Sequence, residues 1–314
     1  MTKHGDTIAV VGGICALALA AAATPATAGN PAYVSRTGGG TTCSLGAPCN
    51  NMTNAIGAAG LNGEVICLDK FAYGGVGITQ SVTISCGDGL WEAPNSNDLV
   101  IINTPSGADV VIEGLVIDGS GLVGNSIIVQ GQGALHLRRV RSGNNGGGTH
   151  GLNFAPTGPA SLHITDSVFY NNSGSGVLIK PASGGSANVH IRNSRFEHNL
   201  HGLFADGSNG VVNVNMAESA AVDNQGNGVG AFAPSSSSVT VEVTTSQITG
   251  NFTNGIGSLG LGTGSVAVEI GNSQITRNVN GLNHSGSGQI VTLGGNQLRR
   301  NLNDGAFTDS AATQ

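Results

Sequence analysis

The chain has 314 residues, 52 of them glycine, with 10% charged residues, 4% aromatic residues and a net charge of −6. That balance, without a basic stretch interleaved with aromatic rings, excludes a nucleic-acid surface. No proline-rich linker or charge run divides the chain, so one domain is expected.

In chain order, Lys3 and His4 precede an apolar run over residues 8–23, and Ala26-Thr27-Ala28 supplies small residues for cleavage before Gly29. This pattern predicts a secretory signal peptide over residues 1–28. The apolar run is short for a membrane span, so none is expected after cleavage, and the product is secreted or periplasmic. Cleavage removes Cys15 and leaves Cys43, Cys49, Cys67 and Cys86. An even number in an exported chain implies disulfides, and four cysteines allow three pairings. Cys43–Cys49, closing a small loop, with Cys67–Cys86 across adjacent coils is the favoured one. No C-x-x-C spacing or nearby histidine supports zinc at these cysteines, and no metal site is expected.

Residues 29–62 read as a disulfide-bonded N-terminal cap. Within it, residues 50–59 predict a short helix with Asn51 or Thr53 as N-cap and Gly60 as stop. Three less regular strands follow at 64–68, 77–85 and 99–103, with Trp91 in a loop between coils as a packing residue.

From residue 108 a repeat sets in, and seven asparagines carry it. Asn145, Asn172, Asn199, Asn224, Asn251, Asn278 and Asn301 recur at steps of 27, 27, 25, 27, 27 and 23 residues. A fixed period in the twenties marks a solenoid, here residues 63–309, with 310–314 as a tail. Each repeat opens with period-two aliphatic alternation, as in Leu162 and Ile164 or Val189 and Ile191, which predicts a strand with one buried face. The last repeat aligns on Val291. A second short strand carries Phe169, Phe196, Ile248, Ile275 and Leu298 inward. A third begins after Gly151, Gly176, Gly202, Gly228, Gly255 and Gly281, which with Gly305 mark a corner where positive φ is expected. The asparagines are expected to form a ladder of amides bonded from coil to coil, with Ser167, Ser194, Ser219, Ser246 and Ser273 as a second stacking column.

These coils resemble the right-handed parallel β-helix of the pectate-lyase-like superfold. With the Cys-rich start, Thr42-Cys43-Ser44 to Cys86-Gly87, they also resemble small secreted bacterial β-helix proteins of unassigned activity. The resemblance implies the handedness and an all-β fold.

Chemistry is sought on the outward positions. His136, His163 and His190 occupy one outward column in three successive coils, continued by Asn215, Glu242 and Glu269, and Arg138, Thr165 and Arg192 form the next. Zinc is disfavoured, because side chains starting about 4.8 Å apart in one column do not converge on one ion. A docking strip for an acidic polysaccharide fits better, with Arg138 and Arg192 as carboxylate forks and imidazoles that gain charge as pH falls. An ion pair between Arg139 and Asp166 is expected across coils. The superfold resemblance would allow an arginine base beside calcium ligands, but Asp118, Asp166, Glu197 and Asp206 share no column, so no cofactor is expected. His150 and His201 precede repeat glycines and read as a polar turn column rather than a hydrolase element, since no paired carboxylates accompany them. The expectation is a monomeric, non-catalytic secreted protein that binds acidic polysaccharide or forms an envelope component. The alternative is a polysaccharide lyase, glycoside hydrolase or epimerase.

Overall fold

A computed structural model describes residues 31–70, 74–92 and 99–310. The expected signal peptide and residues 311–314 of the tail lie outside them. Each regular coil contributes three strands, as in Pro159–Thr165, Val168–Tyr170 and Val177–Ile179. The next coil repeats them as Ser186–Arg192, Arg195–Glu197 and Leu203–Asp206. We call the three columns of strands the long, short and third sheets. Each strand pairs in parallel with its counterpart one coil away, so the chain is an all-β parallel β-helix.

Period-two alternation sets the register. Leu135, Leu162, Val189, Val214, Val241 and Val268 stack directly on one another inside the long sheet. A slip of one residue would turn this whole column to solvent. The short sheet adds Phe169 and Phe196, fully buried with rings stacked 5.7 Å apart. In the last coil the expected alignment fails. Ile290 rather than Val291 faces Val268 and is fully buried, and an irregularity follows at Ile270/Gly271. Ile290 and Val291 are both β-branched aliphatics, so strand pattern alone could not choose between them.

The corners differ from expectation in an instructive way. Of the repeat glycines only Gly305 has positive φ, at 73°; Gly151, Gly176, Gly202, Gly228, Gly255 and Gly281 do not. They are glycine for lack of space: a Cβ on Gly176 would sit 2.8 Å from the Gly202 carbonyl oxygen and 2.9 Å from the Asn199 amide. The left-handed residues instead immediately precede the two ladders. Asp166, Asn193, Glu218, Thr245 and Asn272 turn the chain before the serine-type column, and Asn144, Asn171, His198 and Asp223 before the asparagines. Non-glycine residues in this region cost roughly 1–2 kcal/mol each, so the stacked bonds beyond each corner must hold them there.

Those bonds form two ladders. Each Asn side-chain amide donates to the Oδ1 of the next, from Asn145–Asn172 at 2.7 Å to Asn278–Asn301 at 3.0 Å, and Asp304 closes the end at 2.8 Å. The serines accept a backbone N–H from the previous coil, and Asn296 takes over where the serines end, at 3.0 Å from the Ser273 nitrogen.

At the other end, Asn51 caps the helix Met52–Ala59 by accepting the Asn54 N–H at 2.9 Å, and Gly60 stops it at φ 72°. Met52, Ala55, Ile56 and Ala59 form its buried face over the first coils. Strand Ala32–Val34, unexpected from the sequence, pairs in parallel with Gly63–Cys67. It covers an edge that would otherwise invite association. Residues 77–85 split between Val76–Ile78 of the third sheet and Val82–Glu92, which runs from the long sheet into the short one, and Trp91 belongs to the latter strand rather than to a loop. Cys43–Cys49 and Cys67–Cys86 are disulfides. The second closes a 19-residue separation, a length for which chain entropy contributes about 3 kcal/mol. Replacing Cys67 and Cys86 together by alanine is expected to lower unfolding stability by about that amount in urea titration. An unchanged midpoint would mean that the coils hold this region unaided.

Candidate functional site

The long sheet presents its outward residues as straight columns because the register is unbroken from Gly133–Arg138 to Ser265–Gly271. His136, His163 and His190 lie side by side in one of them. Their rings stack with centroids 4.5 Å apart and 5° between planes for the first pair, 5.2 Å and 17° for the second. Rings stacked face to face point their nitrogens alongside one another rather than toward one centre, so they cannot share one tetrahedral ion. Among the described residues no group of three or more histidine, cysteine, aspartate or glutamate side chains is placed to hold a metal.

Two open troughs run beside the stack. One, of about 590 Å³, is lined by Asp109, Ala134, Ser161, Asn188 and Asn213 on the side of the strand starts. The other, of about 350 Å³, is lined by Thr165, Arg192, Ala217 and Glu218 on the side of the strand ends, with His163 and His190 in its wall. Together they make a polar face with the imidazoles as its ridge.

The charges on that ridge are partly spoken for. His136 Nε2 lies 3.2 Å from Asp109. Arg192 forks onto Glu218, with Nε and Nη2 bonds of 3.1 and 2.8 Å. Arg138 is exposed and has no carboxylate partner among the described residues. Half-burial holds the His163 imidazole below its ordinary value, and the neighbouring His136 and His190 push it further down. The His163 imidazole, at the centre of the stack, therefore takes up its proton below the ordinary histidine range. Downstream the same column turns acidic, with Asn215 donating to Glu242 at 2.8 Å and Glu269 beyond.

Asp109 and Glu218 were not singled out by sequence. Asp109 reaches His136 diagonally, since its own partner in the register is Ala134. Glu218 stands on the left-handed corner that follows its strand. A diagonal search one coil away finds both; reading columns alone does not.

The expected Arg139–Asp166 pair is replaced by other partners. Arg139 turns back to Glu113, and Asp166 accepts the Asn193 side chain at 2.6 Å. Both Arg139 and Asp166 are left-handed corner residues, and each is satisfied by a different neighbouring coil. His150 and His201 use Nδ1 to accept backbone N–H groups, of Ser175 at 2.8 Å and Asn227 at 3.0 Å. Burial pushes both imidazoles down, His150 to about 4. They act here as neutral acceptors that hold turns.

The profile of the family described as the right handed beta helix region matches residues 98–268. Among solved structures, the pectate lyase Pel9A is similar at 14% identity and a TM-score of 0.58, covering 91% of this chain and 79% of that one. The Dettilon tailspike protein is similar at 11% identity and TM-score 0.47, over 88% of this chain and 68% of that one. The A-module of a mannuronan C-5 epimerase from Azotobacter vinelandii gives 14% and 0.45, over 84% of this chain and 95% of that module. Among curated proteins none matches. At such identities the likeness is one of fold, and activity belongs to sites rather than folds.

Proposed function

We propose that this chain, which belongs to the right handed β-helix family, is an exported, non-catalytic protein that holds an acidic polysaccharide along its histidine ridge. The observation that carries the reading is the three-imidazole stack with a trough on either flank and Arg138 unpaired beside it. A linear polymer lying in either trough would meet a repeating polar wall at about 4.8 Å steps. A uronate carboxylate beside Arg138 and the ring nitrogens would also favour protonation of the stack, which its own crowding opposes. Two disulfides are compatible with an exported chain. Among the described residues no helix is long and apolar enough to cross a membrane.

Affinity for polygalacturonate is therefore expected to rise between pH 7.5 and pH 5.5, because the imidazoles gain charge as pH falls. His163→Ala combined with Arg138→Ala is expected to weaken binding at pH 5.5 about tenfold, or roughly 1.4 kcal/mol. Immobilised polyuronates and surface plasmon resonance measure both. Affinity indifferent to pH and to these substitutions would end the reading. The bound polymer should keep its length on prolonged incubation, and chain scission or epimerisation would move the protein to the enzyme alternative.

A further inference from the structure

A further trough lies on the third sheet, and its lining differs from that of the ridge. In the register Phe204, Gly230, Gly257 and Asn283 follow one another across four coils, and beside them run Asp206, Phe232, Leu259 and Ser285. The two glycines leave a gap in the sheet surface. Phe204 walls one end of it, Phe232 and Leu259 one side, and Asn283 and Ser285 the other end. Asn227 and Asn254 form the remaining side. The resulting trough has a volume of about 370 Å³, within the ~300–1,000 Å³ range of small-molecule sites.

The glycine floor is required by this arrangement. A Cβ on Gly230 would lie 2.6 Å from the Phe204 ring and 2.8 Å from the Asn227 amide nitrogen. Phe204 is held from its other direction by His201, whose ring stacks on it at 4.9 Å. The polar side is equally fixed. Asn280 donates to Asn254 at 3.0 Å and Asn254 to Asn227 at 2.8 Å, a ladder running opposite to the main one. This uses the Asn227 oxygen and leaves its NH₂ beside the glycine floor. Asn283, at the far end, is exposed.

No charged side chain lines the trough. The one carboxylate in its columns, Asp206, is buried and bound by Lys180 at 2.8 Å. A half-buried aromatic ring, a second ring with a leucine, and carboxamides with free hydrogen-bonding capacity match a ligand with an apolar face and hydroxyls around its edge. An acidic ligand would find no counter-charge here, and a purely apolar one would leave the amides unsatisfied.

We propose that this trough binds a neutral sugar ring of an oligosaccharide, with a pyranose face on Phe204 and hydroxyls on the Asn227 and Asn283 amides. The site is independent of the histidine ridge and stands or falls separately. The test is isothermal titration calorimetry of the full-length mature chain at pH 7.5. Cellohexaose, xylohexaose and mannohexaose are the neutral probes and hexagalacturonate the charged one. At least one neutral hexasaccharide is expected to bind. Phe204→Leu, which keeps apolar volume but removes the ring face, should weaken it at least tenfold. Gly257→Val, which fills the floor, should abolish it, and Arg138→Ala should leave it unchanged. Phe232→Leu provides a second ring variant should Phe204→Leu fail to fold by circular dichroism. Absence of binding by every neutral probe, or equal affinity in the ring and floor variants, overturns the proposal. Loss of hexagalacturonate binding alone would bear only on the ridge.

Discussion

Asn224→Ala is expected to destabilise the protein by about 3–5 kcal/mol, among the largest effects of any single polar substitution in the chain. Asn224 is fully buried. Its Oδ1 accepts both the backbone and side-chain N–H of Asn199, at 3.0 and 3.2 Å. Its Nδ2 donates to the Phe196 carbonyl at 3.1 Å and to Asn251 at 2.9 Å. Truncation strands two donors and a carbonyl in a place water cannot reach, at about 1–3 kcal/mol each, with partial relaxation. Asn224→Asp should be nearly as costly, since it keeps the acceptor but sets a carboxylate against the Asn251 oxygen. Asn301→Ala, at the half-exposed end of the ladder, should cost less than half as much. Urea midpoints for the three variants measure the gradient. Equal, small losses at 224 and 301 would mean that the ladder decorates the coils rather than holding them.

That gradient also explains what the sequence revealed and what it hid. The ladder was legible because an asparagine that must meet its copy one coil away cannot change type, so Asn145 to Asn301 stand out against variable neighbours. The core columns were legible for the same reason. What escaped were features set by two coils at once. The repeat glycines were read as left-handed corners, yet Gly176 and its equivalents are small because the next coil's carbonyl and asparagine crowd them. The strand Ala32–Val34 has too few residues for a pattern, and only the edge it covers gives it a purpose.

The candidate site divides along the same line. His136, His163 and His190 could be placed in one column from spacing alone. The lowered proton affinity of His163 could not, because it depends on burial of its ring and on the imidazoles of His136 and His190 on either side. The aromatic trough was invisible for a related reason. Phe204 and Phe232 belong to different coils and do not share a column. A ring becomes a platform only because the neighbouring coils place glycine beside it.

Acid should weaken the fold before it unfolds it, and His150 is the principal cause. Burial, with a smaller contribution from His201, pushes its imidazole from 6.5 down to about 4. Its Nδ1 must stay unprotonated to accept the Ser175 N–H. In the unfolded chain the same imidazole takes a proton near 6.5, so over the window between the two values the unfolded state binds more protons. Stability from this group is therefore intact above about pH 6.5 and lost progressively as pH falls toward about 4. The loss amounts to about 3 kcal/mol for a shift of this size. His201 and His163, both also depressed, act in the same direction. Urea midpoints at pH 7.5, 5.5 and 4 should fall in that order. His150→Asn should flatten the slope, because an amide oxygen can accept the Ser175 N–H without titrating and asparagine already serves the same column at 227 and 254. A wild-type midpoint constant from pH 7.5 to 4 would mean that His150 is solvated and free to charge. The same arithmetic bounds the ligand experiment: at pH 5.5 His150 is still mostly neutral, so tighter polyuronate binding there does not come from a loosened coil.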